Sequence, residues 1–212
     1  MNNLGSVLLI ILGSYLLGCL QWSYLLVRYI KKQDIRKLGH GNAGASNTVI
    51  NFGWKFGALV ALLDVAKAVC AVILARAVMT IVGLEALDTT LILASAGVAV
   101  VLGHVFPFFM NFKGGKGTAS AVGMMLAIDW RIGLLGIAAL LILTLISNYI
   151  AIGAIGMWAT YIAGAIFWLE SDLTVALLTI ILVLSIWLHR ENISRILQGT
   201  ETGLRKTMKK HH

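Results

Sequence analysis

Seven apolar segments divided by short polar islands leave this chain few ways to fold. Residues 4–27 hold no charged side chain before Arg28, Lys31 and Lys32 end the run. As a helix rising 1.5 Å per residue, such a stretch crosses a bilayer. Further apolar segments follow at Gly53–Val78, Thr90–Met110, 118–128, 132–146, 150–168 and 173–188. Only 12% of the 212 residues are charged and 59% are hydrophobic, whereas soluble domains carry about 25% charge. The expected fold is all-α, a polytopic membrane bundle of about seven transmembrane helices. Everything after His189 is polar enough to leave the hydrocarbon as an amphipathic helix.

Segment 118–128 is the exception, because 11 residues make a helix of only about 17 Å, short of the roughly 30 Å of hydrocarbon. With 132–146, also short, and a hinge at Asp129, Trp130 and Arg131, it either forms a shallow hairpin or lies tucked inside the bundle. Both arrangements return the chain to the same side.

The net charge of +8 does not point to nucleic acid, because the basic residues cluster beside segment ends. On strict alternation all but Lys67, Arg76 and Arg131 of the 17 lysines and arginines fall on one side, together with every motif-bearing island. The other side carries Glu85, Asp88, Asp129, Glu170 and Asp172. The positive-inside rule places the basic side in the cytoplasm, with the N-terminus outside and the C-terminus within. Residues 4–26 lack a basic leader and a small-residue cleavage site, so they read as a retained first span. Cys19 and Cys70 have no metal-like spacing and read as inert thiols. His211 and His212 read as the stub of a tag, which leaves 1–210 as one domain of an inner-membrane protein, expected to be a monomer.

Chemistry has to come from the islands. Gly103–Gly117 reads GHVFPFFMNFKGGKG, an apolar segment running through Pro107 into Lys113, Gly114, Gly115, Lys116 and Gly117. Glycines let backbone close around an anion and lysines add point charges, which suits a phosphate. The run is not a Walker A motif, because Lys116 is followed by Gly117 and not by Ser or Thr. His104 sits one turn before the aromatic stretch, as a packing residue or a substrate contact. The island Leu38–Gly53 brings Gly39, Gly41 and Gly44 for tight curvature, and Asn42, Ser46 and Asn47 as neutral partners for an oxygen-rich ligand. Alone it would be an ordinary loop, with Ser46 or Asn47 capping the next helix. Arg36, six residues before Asn42, has the fork geometry to grip a phosphate with paired hydrogen bonds.

Asp64 and Lys67 share a helical face at i,i+3 inside an apolar segment. Because a lone charge at mid-bilayer costs about 2.5–3.5 kcal/mol on insertion scales, the two are expected to face protein and each other. Lys67 is kept among the candidate substrate contacts. Ser14, beside Gly13, and Ser147, followed by Asn148, are small polar residues of the kind that stitch membrane helices together. Ser14 is carried as a candidate catalytic residue and Ser147 as a candidate substrate contact. In HRENISRILQGTETG, His189 and Asn192 lie one helical turn apart, with Glu201 further on. A histidine there can position or deprotonate a hydroxyl, and an amide can donate to a carbonyl or phosphate oxygen. No GxSxG, HExxH or cysteine cluster occurs. Covalent serine catalysis, a protein-bound metal and a cofactor are therefore not expected.

Taken in order, the glycine-asparagine loop at 39–47, the Asp64 and Lys67 pair, GHVFPFF, FKGGKG and HRENI at 189–193 resemble a known family. It is that of the bacterial membrane acyltransferases that move an acyl chain from acyl phosphate to sn-glycerol 3-phosphate, making lysophosphatidic acid. The resemblance runs from Gly13 to Glu201. It implies seven membrane helices, a site facing the cytoplasm, and no nucleotide, coenzyme A or acyl carrier protein as direct donor. It also implies that the two glycine-rich loops bind phosphate, with Arg36, Asn42, Ser46, Lys113, Lys116, His189 and Asn192 lining the pocket. Departures are His40 between the glycines, Ser46 for threonine, Ala151 for a second serine, and Tyr15 and Leu16 after Ser14.

Acyl phosphate is a mixed anhydride with a competent leaving group, so direct attack by the glycerol 1-hydroxyl needs no enzyme nucleophile. The proton goes to His189 or to the donor's own phosphate. The competing reading is a small transporter for an organic phosphate, with polar groups near broken helices. Against it, the islands end at Asp64 and Lys67.

Overall fold

A computed structural model describes residues 3–84 and 86–210; Glu85, His211 and His212, read above as a linker acid and a tag stub, lie outside it. The described chain is helical: α1 (Asn3–Gly18), α2 (Trp22–Ile30), α3 (Ala45–Phe52), α4 (Trp54–Val82), α5 (Thr89–Val105), α6 (Thr118–Ile128), α7 (Trp130–Ser147), α8 (Ile150–Trp168), α9 (Asp172–Leu188), α10 (Arg190–Leu197) and α11 (Leu204–Lys210), with single 3-10 turns at Ile35–Lys37 and Phe108–Met110. Among the described residues, five stretches are long and apolar enough to span a membrane: Asn3–Ile30, Trp54–Val82, Thr89–Met110, Trp130–Ser147 and Ile150–Trp168. A sixth is obtained by joining α9 to α10 across a 50° bend. The fold is an all-α polytopic membrane bundle with five or six long apolar helices.

Its polarity is that of a lipid-immersed protein. Large aliphatic side chains point outward, among them Leu8, Leu9 and Leu12 of α1, Leu141, Ile142, Leu145 and Ile146 of α7, and Ile180 and Val183 of α9. Small residues line the contacts between helices. Gly18 of α1 lies on the Val100 carbonyl of α5 and Gly103 lies on the Tyr15 carbonyl, leaving no room for a Cβ at either. Where lipid is as apolar as leucine, such close backbone approach is what favours association.

Three sequence expectations change. Residues 45–52 form helix α3 and not loop; Ser46 and Asn47 sit in its first turn, and the N-cap of α4 is Gly53, whose φ of 88° separates the two helices. Segment 132–146 is longer than expected, because α7 runs over 18 residues from Trp130. Its start is set by Asp129, whose carboxylate accepts from the Arg131 and Ile132 amides at 2.9 and 3.3 Å. The first segment is broken at Cys19–Gln21 between α1 and α2.

Helix α6 is the short one, and it is tucked inside. Ser120 to Met125 are all buried. Val122, Met124 and Met125 join Val98 and Val101 of α5, Met157, Trp158 and Tyr161 of α8, and Leu178 and Ile181 of α9 in the largest apolar cluster. This buries the middle of α6 among α5, α8 and α9.

Candidate active site

The two glycine-rich islands meet. The Ala43 amide donates to the Gly114 carbonyl at 3.1 Å, so the loop before α3 is bonded directly to the loop before α6. Asn47 organises the first of these loops from within. Its Nδ2 is shared among the carbonyls of Ile35, Leu38 and Asn42 at 3.2, 3.0 and 2.9 Å, and its Oδ1 accepts from the His40 amide at 2.9 Å. Ser23 and Thr48 hydroxyls, 2.7 Å apart, tie α2 to α3.

The second loop rests on His104. Gly114 and Gly115 donate their amides to the Val105 and His104 carbonyls at 3.0 and 3.1 Å. A Cβ on Gly115 would fall on the His104 ring and one on Gly114 on the His104 carbonyl. These two glycines therefore spend their amides inside the loop and are required by packing. Beyond them Gly117, at φ 81°, turns the chain into α6, whose N-terminus has no side-chain cap.

Under the loop lies an ionic cluster. Asp64 Oδ1 is 2.8 Å from Lys67 Nζ and 3.3 Å from His104 Nδ1, all three side chains being almost wholly buried. Lys67 also donates to the Leu20 carbonyl at 2.7 Å and lies 3.0 Å from His104 Nδ1. Gln21 donates to the His104 carbonyl at 2.6 Å. The Asp64 carboxylate makes close charge contacts but no well-angled hydrogen bond. The break between α1 and α2 thus supplies the polar groups that α4 and α5 need at this level, in keeping with the cost of a bare charge in lipid.

A second charged chain starts from the loop itself. Lys116 Nζ donates to Asn192 Oδ1 in a very short contact, Asn192 Nδ2 donates to Glu201 Oε1 at 2.6 Å, and Arg195 Nε donates to Glu201 Oε2 at 2.5 Å. Burial first, and then the Arg195 charge, lowers the Lys116 pKa to about 8. His189, buried at the bend between α9 and α10, places Nδ1 2.8 Å from the Ser185 carbonyl. A carbonyl only accepts, so Nδ1 carries the proton and Nε2 keeps the lone pair.

These elements enclose a cavity of about 930 Å³. Its polar lining comes from His40, Asn42, Ser46, Lys116, Thr118 and His189, together with Asp64 and His104. Its apolar lining comes from Trp54, Ala58, Ala61 and Val65 of α4, Leu140 and Leu141 of α7, and Ile150 and Ala151 of α8. Of the residues singled out in the sequence, Asn42, Gly44, Ser46, Asn47, His104, Lys116, Gly117 and His189 line it, and Asn192 reaches it through Lys116. Ser14, Arg36, Gly41, Lys67, Lys113, Gly114, Gly115 and Ser147 do not.

Arg36 has turned its fork onto Asp34, with Nε at 3.1 Å and Nη2 at 2.8 Å, and stacks on Tyr24. The same hydrogen bonds hold the Asp34 carboxyl below its ordinary range. Ser14 is buried in α1, Lys113 is exposed, and the Ser147 hydroxyl donates to Leu143 of its own helix at 2.6 Å. The sequence reading missed the lining residues His40, Thr118, Thr202, Leu204 and Thr207. Thr202 lies within the island that ends at Gly203 without having been singled out, and Leu204 and Thr207 lie beyond it in a tail with no motif, so no signal in the sequence marked them.

The model of the family described as glycerol-3-phosphate acyltransferase matches residues 8–199. Glycerol-3-phosphate acyltransferase 1 of Oceanobacillus iheyensis is 39% identical over 192 residues, which cover 90% of this chain and 91% of that one. Glycerol-3-phosphate acyltransferase of Thermoanaerobacter pseudethanolicus is 38% identical over 192 residues, covering 90% and 92%. Among solved structures, PlsY, an integral membrane glycerol 3-phosphate acyltransferase in its glycerol 3-phosphate form, superposes with a TM-score of 0.83 at 31% identity, covering 94% of this chain and 96% of that one.

Proposed function

The chain belongs to the glycerol-3-phosphate acyltransferase family, and from that premise we propose that it transfers a fatty acyl group from acyl phosphate to the 1-hydroxyl of sn-glycerol 3-phosphate. The observation that carries the reading is one cavity lined both by a lysine with hydrogen-bonding side chains and by many apolar side chains, which suits a small phosphate ester meeting a lipid donor.

In this reading a substrate phosphate binds Lys116 and the uncapped N-terminus of α6, where amide dipoles favour an anion. Asn42 and Ser46 hydrogen-bond the acceptor from the facing loop. The glycerol 1-hydroxyl oxygen attacks the acyl carbonyl carbon, the new ester C–O bond forms, and the bond from that carbon to the bridging phosphate oxygen breaks. The hydroxyl proton leaves with the phosphate, so the products are lysophosphatidic acid and inorganic phosphate, without an acyl-enzyme. Asn192 orients Lys116, and the protein's contribution is placement and anion stabilisation. The Arg36 fork, engaged by Asp34, reaches substrate phosphate only by releasing that carboxylate.

The same reading gives residues 1–210 one domain and seven membrane crossings, with α6 and α7 paired. The basic loops and the polar lining of the cavity then face the cytoplasm. A defined-substrate assay in lipid tests the proposal. Acyl phosphate and glycerol 3-phosphate, without metal, are expected to yield lysophosphatidic acid and phosphate in equal amounts. Product formed from acyl coenzyme A and not from acyl phosphate would overturn the donor assignment.

A further inference from the structure

The family match ends at residue 199, yet Thr202, Leu204 and Thr207 line the cavity. Two separate latches hold this tail. The first is on α10: the Thr200 and Glu201 amides donate to the Arg195 carbonyl at 2.8 and 3.2 Å, and the Glu201 carboxylate accepts from Asn192 and Arg195. The second is on the end of α7, where the Leu145 carbonyl accepts from the Arg205 guanidinium at 3.3 Å and the C-cap is Asn148. Its φ of 70° is in the left-handed region, which asparagine tolerates better than most residues. Its carbonyl accepts from the Leu204 amide at 2.8 Å and its Oδ1 from the Arg205 amide at 2.9 Å. Gly203 passes so close that a Cβ there would strike the Asn148 amide.

Asn148 lies two residues before Ile150 and three before Ala151, which with Leu140 and Leu141 belong to the apolar lining of the cavity. The second latch therefore fixes Leu204 in the cavity lining, while the first keeps Glu201 on Asn192, the partner of Lys116. We propose that Asn148 is a positioning residue whose hydrogen bonds to residues 204 and 205 hold Leu204 as one wall of the acyl groove, and that this wall sets which acyl chains are accepted. The inference rests on the acyl-phosphate reading above. The Leu204 amide bonds the Asn148 backbone carbonyl, which any substitution keeps, so the side chain's own share is the Oδ1 bond to the Arg205 amide; losing it loosens the turn that carries Leu204 and leaves Glu201 tied to Asn192 and Arg195.

Three full-length variants test it against a series of short, medium and long saturated acyl phosphates. Asn148→Gly keeps the left-handed backbone and deletes the Oδ1 acceptor, Asn148→Asp keeps the acceptor, and Leu204→Ala removes the wall with both latches in place. Asn148→Gly and Leu204→Ala are expected to raise KM for the preferred acyl phosphate about tenfold and to flatten the chain-length preference. KM for glycerol 3-phosphate stays unchanged, and Asn148→Asp restores the donor profile. An unaltered chain-length preference in Leu204→Ala overturns the proposal, whether or not Asn148→Gly folds. A parallel rise in both KM values in Asn148→Gly, with lowered thermal stability, would reduce Asn148 to a general structural role and also overturn it. A wild-type chain that transfers nothing from acyl phosphate overturns the underlying reading, and this inference with it.

Discussion

The molecule carries two charged clusters one residue apart along the glycine loop, and they are built differently. Asp64, Lys67 and His104 form a set closed around Lys67: all are buried, Lys67 reaches the carboxylate, the histidine and the Leu20 carbonyl at once, and Asp64 and His104 alone of the three border the cavity. Lys116, Asn192, Glu201 and Arg195 form an open chain whose Lys116 end lines the cavity. The closed set fixes the floor on which Gly115 lies; the open chain holds a cation where a ligand can reach it. Lys67 is buried with its partners supplied by the protein and does not line the cavity, so it supports structure, whereas Lys116 has room left beside it and is available to a substrate.

The most severe way to break that contrast is to open the closed set. Lys67→Ala leaves Asp64 buried without its cation and is expected to cost about 3–5 kcal/mol, read as a large fall in thermal stability in detergent. An unchanged melting temperature would mean that the cluster is not holding the floor. Replacing both members by apolar residues, Asp64→Leu with Lys67→Met, is expected to recover most of that stability, because no bare charge remains.

Lys116→Ala should do the reverse, lowering kcat/KM by about 100- to 1,000-fold, the usual loss when one anion-stabilising donor is removed, while the melting temperature hardly moves. Equal losses of stability and activity would erase the distinction between the clusters. The pH profile sharpens it further. Lys116, lowered to about 8, is charged below that value and loses its proton as pH rises through it, well before an ordinary lysine does. Thus kcat/KM for glycerol 3-phosphate should fall about tenfold per pH unit above pH 8. Lys116→Arg should remove that limb, since guanidinium stays charged.

The smallest effect is expected at His189. A protein general base contributes about 100- to 10,000-fold. If the leaving phosphate takes the proton, His189→Ala should lose about tenfold or less in kcat, with the alkaline limb set by Lys116 unmoved. A larger loss together with removal of an acidic limb, where the base would be protonated, would return the proton to His189.

The two clusters were not equally legible in the sequence. Asp64 and Lys67 declare themselves, because an i,i+3 pair of opposite charge inside an apolar helix has to be paired in lipid. The open chain was visible only as separate islands. The spacing of His189 and Asn192 placed them on one face, but nothing in it indicated that Asn192 would bridge Lys116 to Glu201 across 76 and 9 residues of chain. Arg36 shows the opposite error. Its fork suits a phosphate, but two residues earlier Asp34 offers the same geometry from the protein itself, and the nearer carboxylate holds it.

Hydropathy and glycine content by themselves determined that this chain is a membrane helix bundle with polar loops gathered at the ends of its apolar segments. The reason is local: each segment's transfer to lipid and each glycine's freedom depend on residues close by in the sequence. Which polar groups share a cavity was decided only by tertiary packing. The burial of α6, the seating of Gly115 on His104, the turning of Arg36 onto Asp34 and the docking of the tail on Asn148 depend on shapes brought together from distant segments, which no local pattern encodes.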